Sequence, residues 1–334
     1  MYSLLLLSGC ALYVITRHVL LPIFLFFKDT KGLRRYPNYS FLSGVSDLPI
    51  CLLSASGSRS KQLVQAHKSK NAPILRTGPN SLSFAHPDAI NDIYGHKTTC
   101  SKDIKYSLTS NEHPHLFDVI DKTKHAEKRK RLSAAFAIKH LEQWEYKVAR
   151  STERLVNALD FYSVPLNHKD STANKKPVPV DVNYWVNLFT IEAINYIALS
   201  SDLSLLIQGN GDVVAERKDG STYRANYRQA QDSTAYALSH FVWDYNYFRS
   251  LVRLSRMFPG WRKIWKESEA WNDIIYHQAN VRLERYRKGE ELDDFFAALM
   301  DDKYGSPYNL ELGEIVNEVR TQEVLQFSSQ RNAC

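Results

Sequence analysis

The stretch KHAEKRKRLSAAF, Lys124 to Phe136, sets a histidine and an arginine four residues apart inside a dense basic run. At about 100° per residue, a helix places His125, Arg129, Leu132, Ser133 and Phe136 on one side and Lys124, Lys128 and Arg131 on another. One face pairs an imidazole with a guanidinium beside apolar residues, and the other is purely cationic. A solvated basic helix has the same pattern, so the rest of the chain decides what these faces are for. The eleven histidines form no H-E-x-x-H pair, and no P-loop, G-x-G-x-x-G turn or G-x-S-x-G elbow occurs. His113 and His115, in EHPH, lack a further partner at metal-ligand spacing and read as loop residues.

The elements that must carry these residues are mainly helical. Long amphipathic patterns run over Ala134 to Phe161, Val182 to Leu199, Tyr223 to Tyr245 and Trp265 to Arg287. Upstream, ILR and SLSF flank Gly78-Pro79-Asn80, which supplies the turn of an extended pair. Pro87 stands as a first-turn proline before Ala89, Ile90 and Ile93 at helical spacing. Asn167 to Lys176 and the glycine-bearing Gln208 to Gly220 read as surface loops, since amphipathic helices resume after each. The fold class is mainly α with a small β-sheet, and no solenoid repeat occurs.

At the N-terminus, Tyr2 to Phe27 is apolar except around Arg17 and His18, and is long enough for a bilayer core of about 30 Å. An arginine at mid-membrane costs about 2.5 to 3.5 kcal/mol, which some fifteen Leu, Ile, Val and Phe residues at roughly 0.3 to 0.6 each outweigh. The lack of an N-terminal Lys or Arg and of an A-x-A site favours a retained anchor over a cleaved signal peptide. Lys28, Lys31, Arg34 and Arg35 follow the apolar run and put the body in the cytosol, and Tyr36-Pro37 ends any helix. The expected organisation is a transmembrane anchor at 2–27, a basic and proline hinge at 28–50, a body at 51–319 and an atypical tail at 320–334.

The 334 residues are 44% hydrophobic, 12% aromatic and 24% charged, a globular composition. The net charge of +7 admits a nucleic-acid partner, but zinc-finger spacing, an RNP-like aromatic pattern and a basic-zipper heptad are all missing. No nucleic-acid partner is expected. Cys10, Cys51, Cys100 and Cys334 make no C-x-x-C pair, which argues against a disulfide framework or structural zinc.

Taken in order, the anchor, the basic and proline segment, RTGPNSLSF, IYGH, HAEKRKRLSAAF, VPVDVNYWVNLFTIEAINYIAL and YNLELGEIVNEV carry a family resemblance. Their sequence and spacing are similar to the N-terminal part of a microsomal cytochrome P-450. This is a haem-thiolate monooxygenase of the kind filamentous fungi use in specialised metabolism. The resemblance runs from the anchor to about Val319. It implies the N-terminal portion of the cytochrome P-450 fold behind a single-pass anchor in the endoplasmic reticulum membrane. It makes the basic stretch the helix that binds the haem propionates, through His125 and Arg129. By the same resemblance Lys124, Lys128 and Arg131 face an NADPH-dependent reductase, and Ser101 to Phe117 cover the distal haem face and shape a pocket for a lipophilic small molecule. The chemistry suits these roles. Two propionates carry a double negative charge, arginine's planar fork meets a carboxylate in fixed geometry, and such charge-assisted contacts contribute about 1.5 to 3 kcal/mol each.

The chain departs from the family after Val319. RTQEVLQFSSQRNAC stands where the oxygen-activating helix, with its acid and threonine, is expected. Glu284 and Arg287 satisfy the family's Glu-x-x-Arg but lie upstream of that helix and read as a surface pair. FSSQRNAC echoes the haem-cysteine loop and makes Cys334 the candidate iron ligand, although Gln330 occupies the required glycine position and Arg331 is one place early. A thiolate ligand needs orienting hydrogen bonds around it. The expectation is a monooxygenase of fungal secondary metabolism, oxidising a lipophilic small molecule, whose chain as given is truncated and catalytically incomplete. The alternative is a non-enzymatic, membrane-tethered helical protein that keeps only the reductase- or partner-binding surface.

Overall fold

A computed structural model describes residues 2–95, 97–109, 113–133, 135, 142–163, 178–291, 293–302 and 304–320. The chain divides into two compact units, one of Met1–Ser101 with Tyr236–Met257 and the other of Lys102–Ala235 with Phe258–Cys334.

In the first unit, α1 (Tyr2–Ile15) passes through a π-helical turn at Thr16–Leu20 into α2 (Leu21–Lys28). The wide turn falls on Arg17 and His18, the polar break of the apolar run. Pro22 sits in the first turn of α2, where its missing N–H is least costly. Asp29 ends the helix in left-handed geometry, and its carboxylate accepts from the backbone N–H of Leu33 and Arg34. By length and composition Ala11–Lys28 is able to cross a membrane. Helices α3 (Leu48–Ala55) and α4 (Arg59–Ser69) lead to the antiparallel pair β1 (Ile74–Gly78) and β2 (Ser81–Phe84), with Leu75 opposite Ser83. The extended pair and its turn fall where the sequence puts them. Pro87 caps α5 (Asp88–Tyr94) rather than lying inside it.

The second unit opens on a 3-10 turn at Ile104–Leu108, followed by α6 (Lys122–Ser133), α7 (Glu145–Ser163) and α8 (Val182–Leu199). The bounds of α8 match the periodicity. It begins where the Asp181 carboxylate accepts from the N–H of Tyr184. Arg154 on α7 donates to the buried Glu192 on α8 at 2.8 Å and to Asp202 at 2.7 Å, tying the two helices together. A short helix, α9 (Leu205–Gln208), precedes β3 (Asp212–Glu216) and β4 (Thr222–Asn226), which pair in register from Asp212 with Asn226 to Glu216 with Thr222.

This hairpin corrects two expectations. Gln208 to Gly220 holds a strand rather than only a loop, and the helix expected from Tyr223 starts at Tyr227, as α10 (Tyr227–Phe241). The hairpin lies on the long α12 (Pro259–Arg287), where the Tyr223 hydroxyl donates to Asp273 at 2.7 Å and His277 Nδ1 meets Glu216 at 2.8 Å. Between α10 and α12 the first unit contributes α11 (Phe248–Ser255). The chain closes its described part with α13 (Ala297–Met300) and α14 (312–320). Leu188, Ile191, Ile274, Ile275, Phe296 and Val319 meet in one core. Burying each such side chain contributes roughly 1.5 to 3 kcal/mol. The loop expected at Asn167 to Lys176 and the tail beyond Arg320 lie outside the described residues.

Candidate functional site

Helix α6 starts where Asp121 accepts from the backbone N–H of Lys124 at 2.8 Å and ends in Lys130 and Arg131, whose charges suit the negative end of the helix dipole. Leu132 is its buried contact with the core. His125 and Arg129, one turn apart, share a face as the spacing predicts: His125 is half-buried and Arg129 exposed. Among the described residues, Arg129 has no hydrogen bond or ion pair to a carboxylate. Burial, then the charges of Lys102 and Arg129, lowers the pKa of the His125 imidazole.

Lys102 is the residue that sequence reasoning missed. It comes from the loop before α6, donates to the Leu116 carbonyl at 2.8 Å, and has its own pKa lowered by burial against the opposing pull of Asp118. Lys102 and Arg129 thus both bear on the half-buried His125 imidazole. The only local signal was an isolated lysine in SKD.

The second face of α6 is not the free cationic surface expected. Lys128 Nζ lies 2.6 Å from Glu318 and 3.1 Å from Glu314, and Arg131 Nη1 lies 3.2 Å from Glu314, all across to α14. Arg131 also stacks over the Tyr308 ring, 4.8 Å from its centroid. Of the three lysine and arginine residues assigned to a reductase face, only Lys124 is exposed. The correction has a simple cause: acidic side chains at i and i+4 on α14 meet basic ones at i and i+3 on α6. Burial works against ionisation of Glu314, but Lys128 and Arg131 outweigh it and hold the carboxyl below its usual range.

The same cluster holds the segment from His115 to Asp118. The backbone N–H of Leu116 donates to Glu318 at 3.2 Å. His115 Nδ1 accepts from the N–H of Phe117, so the proton sits on Nε2, 3.2 Å from Asp118 Oδ2. Burial, then the charges of Arg320, Lys102 and Lys128, pushes the His115 imidazole down to about 3. The contact with Asp118 is therefore that of a neutral imidazole with a carboxylate. His113 turns instead toward Glu311, 3.8 Å away, so the EHPH pair does not converge, and no group of three metal-ligating side chains occurs among the described residues. Glu284 and Arg287 are both exposed on α12, as a surface pair should be. Cys334 lies outside the described residues.

No family model matches the chain. Individual relatives do. The chain is 26% identical over 261 residues to the cytochrome P450 monooxygenase FCK2 of Fusarium pseudograminearum, an alignment covering 77% of this chain and 42% of that protein. It is 27% identical over 175 residues to the trichothecene C-15 hydroxylase of Fusarium sporotrichioides, covering 52% and 33%. It is 23% identical over 235 residues to the tryprostatin B 6-hydroxylase of Neosartorya fischeri, covering 68% and 35%. The chain spans less than half the length of the curated relatives it matches.

Proposed function

We propose, for a chain whose curated relatives are fungal cytochrome P450 monooxygenases, a part in the oxidation of a lipophilic small molecule in secondary metabolism. The observation that carries this reading is the face of α6 on which a half-buried His125 and an exposed Arg129 stand one turn apart, with the charge of Lys102 bearing on the same imidazole. A dianionic haem edge fits it: Arg129 offers a planar fork with no acceptor among the described residues, and Lys102 adds a second fixed charge. When bound, haem supplies the iron that activates oxygen. The chain's own residues hold and orient the propionates, and α14 is tied both to α6, through Lys128, and to the His115–Asp118 loop, through Leu116. Electrons come from an NADPH-dependent reductase. With Lys128 and Arg131 engaged by carboxylates, Lys124 is what remains of the docking charge first assigned to this helix. Rim charges of that kind steer encounter more than they add affinity.

The setting is the endoplasmic reticulum membrane, with the helix from Tyr2 to Lys28 as a single-pass anchor and the body cytosolic. Cys334 is retained as the candidate iron ligand on sequence grounds alone.

The test is haem titration of the full chain in detergent, followed by difference absorbance. Arg129→Ala and Lys102→Ala should each weaken haem affinity about 10-fold or more, the equivalent of losing one charge-assisted contact. Lys130→Ala, an exposed change on the same helix, should not. Lys128 is unsuitable as the control because its removal strands Glu318. Equal affinities for all four proteins would remove the propionate assignment.

A further inference from the structure

A cavity of about 820 Å³ lies within the second unit, on the side of α6 away from His125 and Arg129. Glu127 and Arg131, which line it, stand two residues beyond that pair and so lie about 200° round the helix from it. Part of the wall is apolar. Trp144, just before α7, is buried, and Ala297 and Ala298 come from the start of α13. A space of this size, apolar with a few polar groups, suits a small molecule.

The polar groups on its walls are out of balance. Asp294 lines the cavity with its side chain fully buried. Its Oδ2 accepts from Arg282 Nε at 2.6 Å, but Oδ1 accepts no hydrogen bond among the described residues. A bare carboxylate oxygen in a buried position is costly, so the position favours a donor. Glu127, Asp301 and Asp302 line the same cavity, against Lys130 and Arg131. Arg131 is already committed to Glu314 at 3.2 Å and to the Tyr308 ring. With Asp294 matched by Arg282 and Arg131 by Glu314, three carboxylates stand against one lysine. These carboxylates do not converge on a point, since no group of three metal-ligating side chains occurs among the described residues. They run instead from the exposed Glu127 through the half-buried Asp301 to the buried Asp294.

We propose that this cavity binds an organic ammonium ion, a primary or secondary amine carried on an apolar body. The ammonium donates to Asp294 Oδ1 in the field of Asp301 and Glu127, and the body lies against Trp144, Ala297 and Ala298. Such a charge-assisted bond is about twice as strong as a neutral one. The excess of carboxylates repels an anion, their spacing does not suit a compact metal ion, and a quaternary ammonium has no N–H for the bare oxygen. The cavity is separate from the face of α6 assigned to haem, and it takes its ligand whether or not haem is bound.

The test is calorimetric titration of the full chain, in a non-ionic detergent, with 4-phenylbutylamine, 4-phenylbutanol and 4-phenylbutyrate, which share one apolar body and differ in charge. The amine should bind at a single site, about 10-fold or more tighter than either of the others, the equivalent of one charge-assisted contact. Ala297→Trp fills the space and keeps every carboxylate, and it should abolish binding. Asp301→Asn should weaken the amine about 3-fold, while Glu153→Gln, an exposed change on α7 outside the cavity, should leave it unaltered. Asp294→Asn should remove the preference for the amine over the alcohol. That variant deprives Arg282 of its carboxylate, so circular dichroism decides whether it is folded, and Ala297→Trp and Asp301→Asn carry the test if it is not. Equal binding of the three probes overturns the site and leaves only partition into detergent or apolar surface. Amine binding unchanged in Ala297→Trp places the amine elsewhere and also overturns it. A folded Asp294→Asn protein that keeps the full preference removes Asp294 as the acceptor. No saturable binding of the amine up to about 1 mM overturns the proposal outright, and water alone then meets the bare oxygen.

Discussion

Lys128 is held between two carboxylates, and Glu318, its nearer partner, is 1% exposed. A charge so placed is costly to leave alone. Among the described residues Lys128→Ala leaves Glu318 with only the Leu116 N–H, and it should destabilise the second unit by about 3 to 5 kcal/mol. Glu318→Gln keeps an acceptor for Leu116 and leaves Lys128 with Glu314, so it should cost clearly less. Urea unfolding followed by tryptophan fluorescence ranks the two, and the reverse order would remove Glu318 as the centre of the cluster. His115 gives a pH signature. Its folded pKa, about 3, lies below the usual 6.5, so the unfolded chain takes up a proton that the folded one refuses. Its contribution is fully present above pH 6.5 and is lost as the pH falls toward 3. Stability measured between those values should decline more steeply in the parent than in His115→Gln. The shared face of His125 and Arg129 was legible because helix periodicity is local. Lys102 and the two glutamates were not, because only the packed fold brings a loop lysine and α14 up to α6.

The β3–β4 hairpin shows the same limit one scale up. Residues 208–220 carry three glycines and read as loop, and residues 223–226 run directly into a helical pattern. Their strand character comes from pairing with each other and from lying on α12, neither of which periodicity records. Helix α8, in contrast, has its capping aspartate and an apolar face within one continuous stretch, and its bounds were readable to the residue. Gly220 closes the hairpin turn at φ 83°, where its N–H donates to the Arg217 carbonyl at 2.9 Å. A β-branched residue is strained in that geometry, so Gly220→Val should cost about 1 to 2 kcal/mol. The loss should show as a lower urea midpoint with an unchanged slope. An unaltered midpoint would mean that the turn is not fixed in this conformation.

At the scale of the molecule, nothing local in residues 236–257 announces that they join a unit built from the first hundred residues, since the link runs through single contacts such as Trp243 with Ser54. The proposed orientation across a membrane, by contrast, is a matter of charge counting. Lys28, Lys31, Arg34 and Arg35 follow the apolar helix, and basic residues are retained on the cytosolic side. Cys100 offers a direct reading of that side, because it is exposed in the first unit while Cys51 is half-buried. In sealed microsomes, a membrane-impermeant maleimide should modify a chain with Cys10 and Cys334 replaced by serine without detergent, and Cys100→Ser in that background should lose most of the fast-reacting signal. Rapid modification of an exposed thiol requires only access and a thiolate fraction, so the result depends on neither haem nor activity. Modification of Cys100 only after detergent would place the body in the lumen, away from any cytosolic reductase, and would overturn the proposed electron supply together with the orientation.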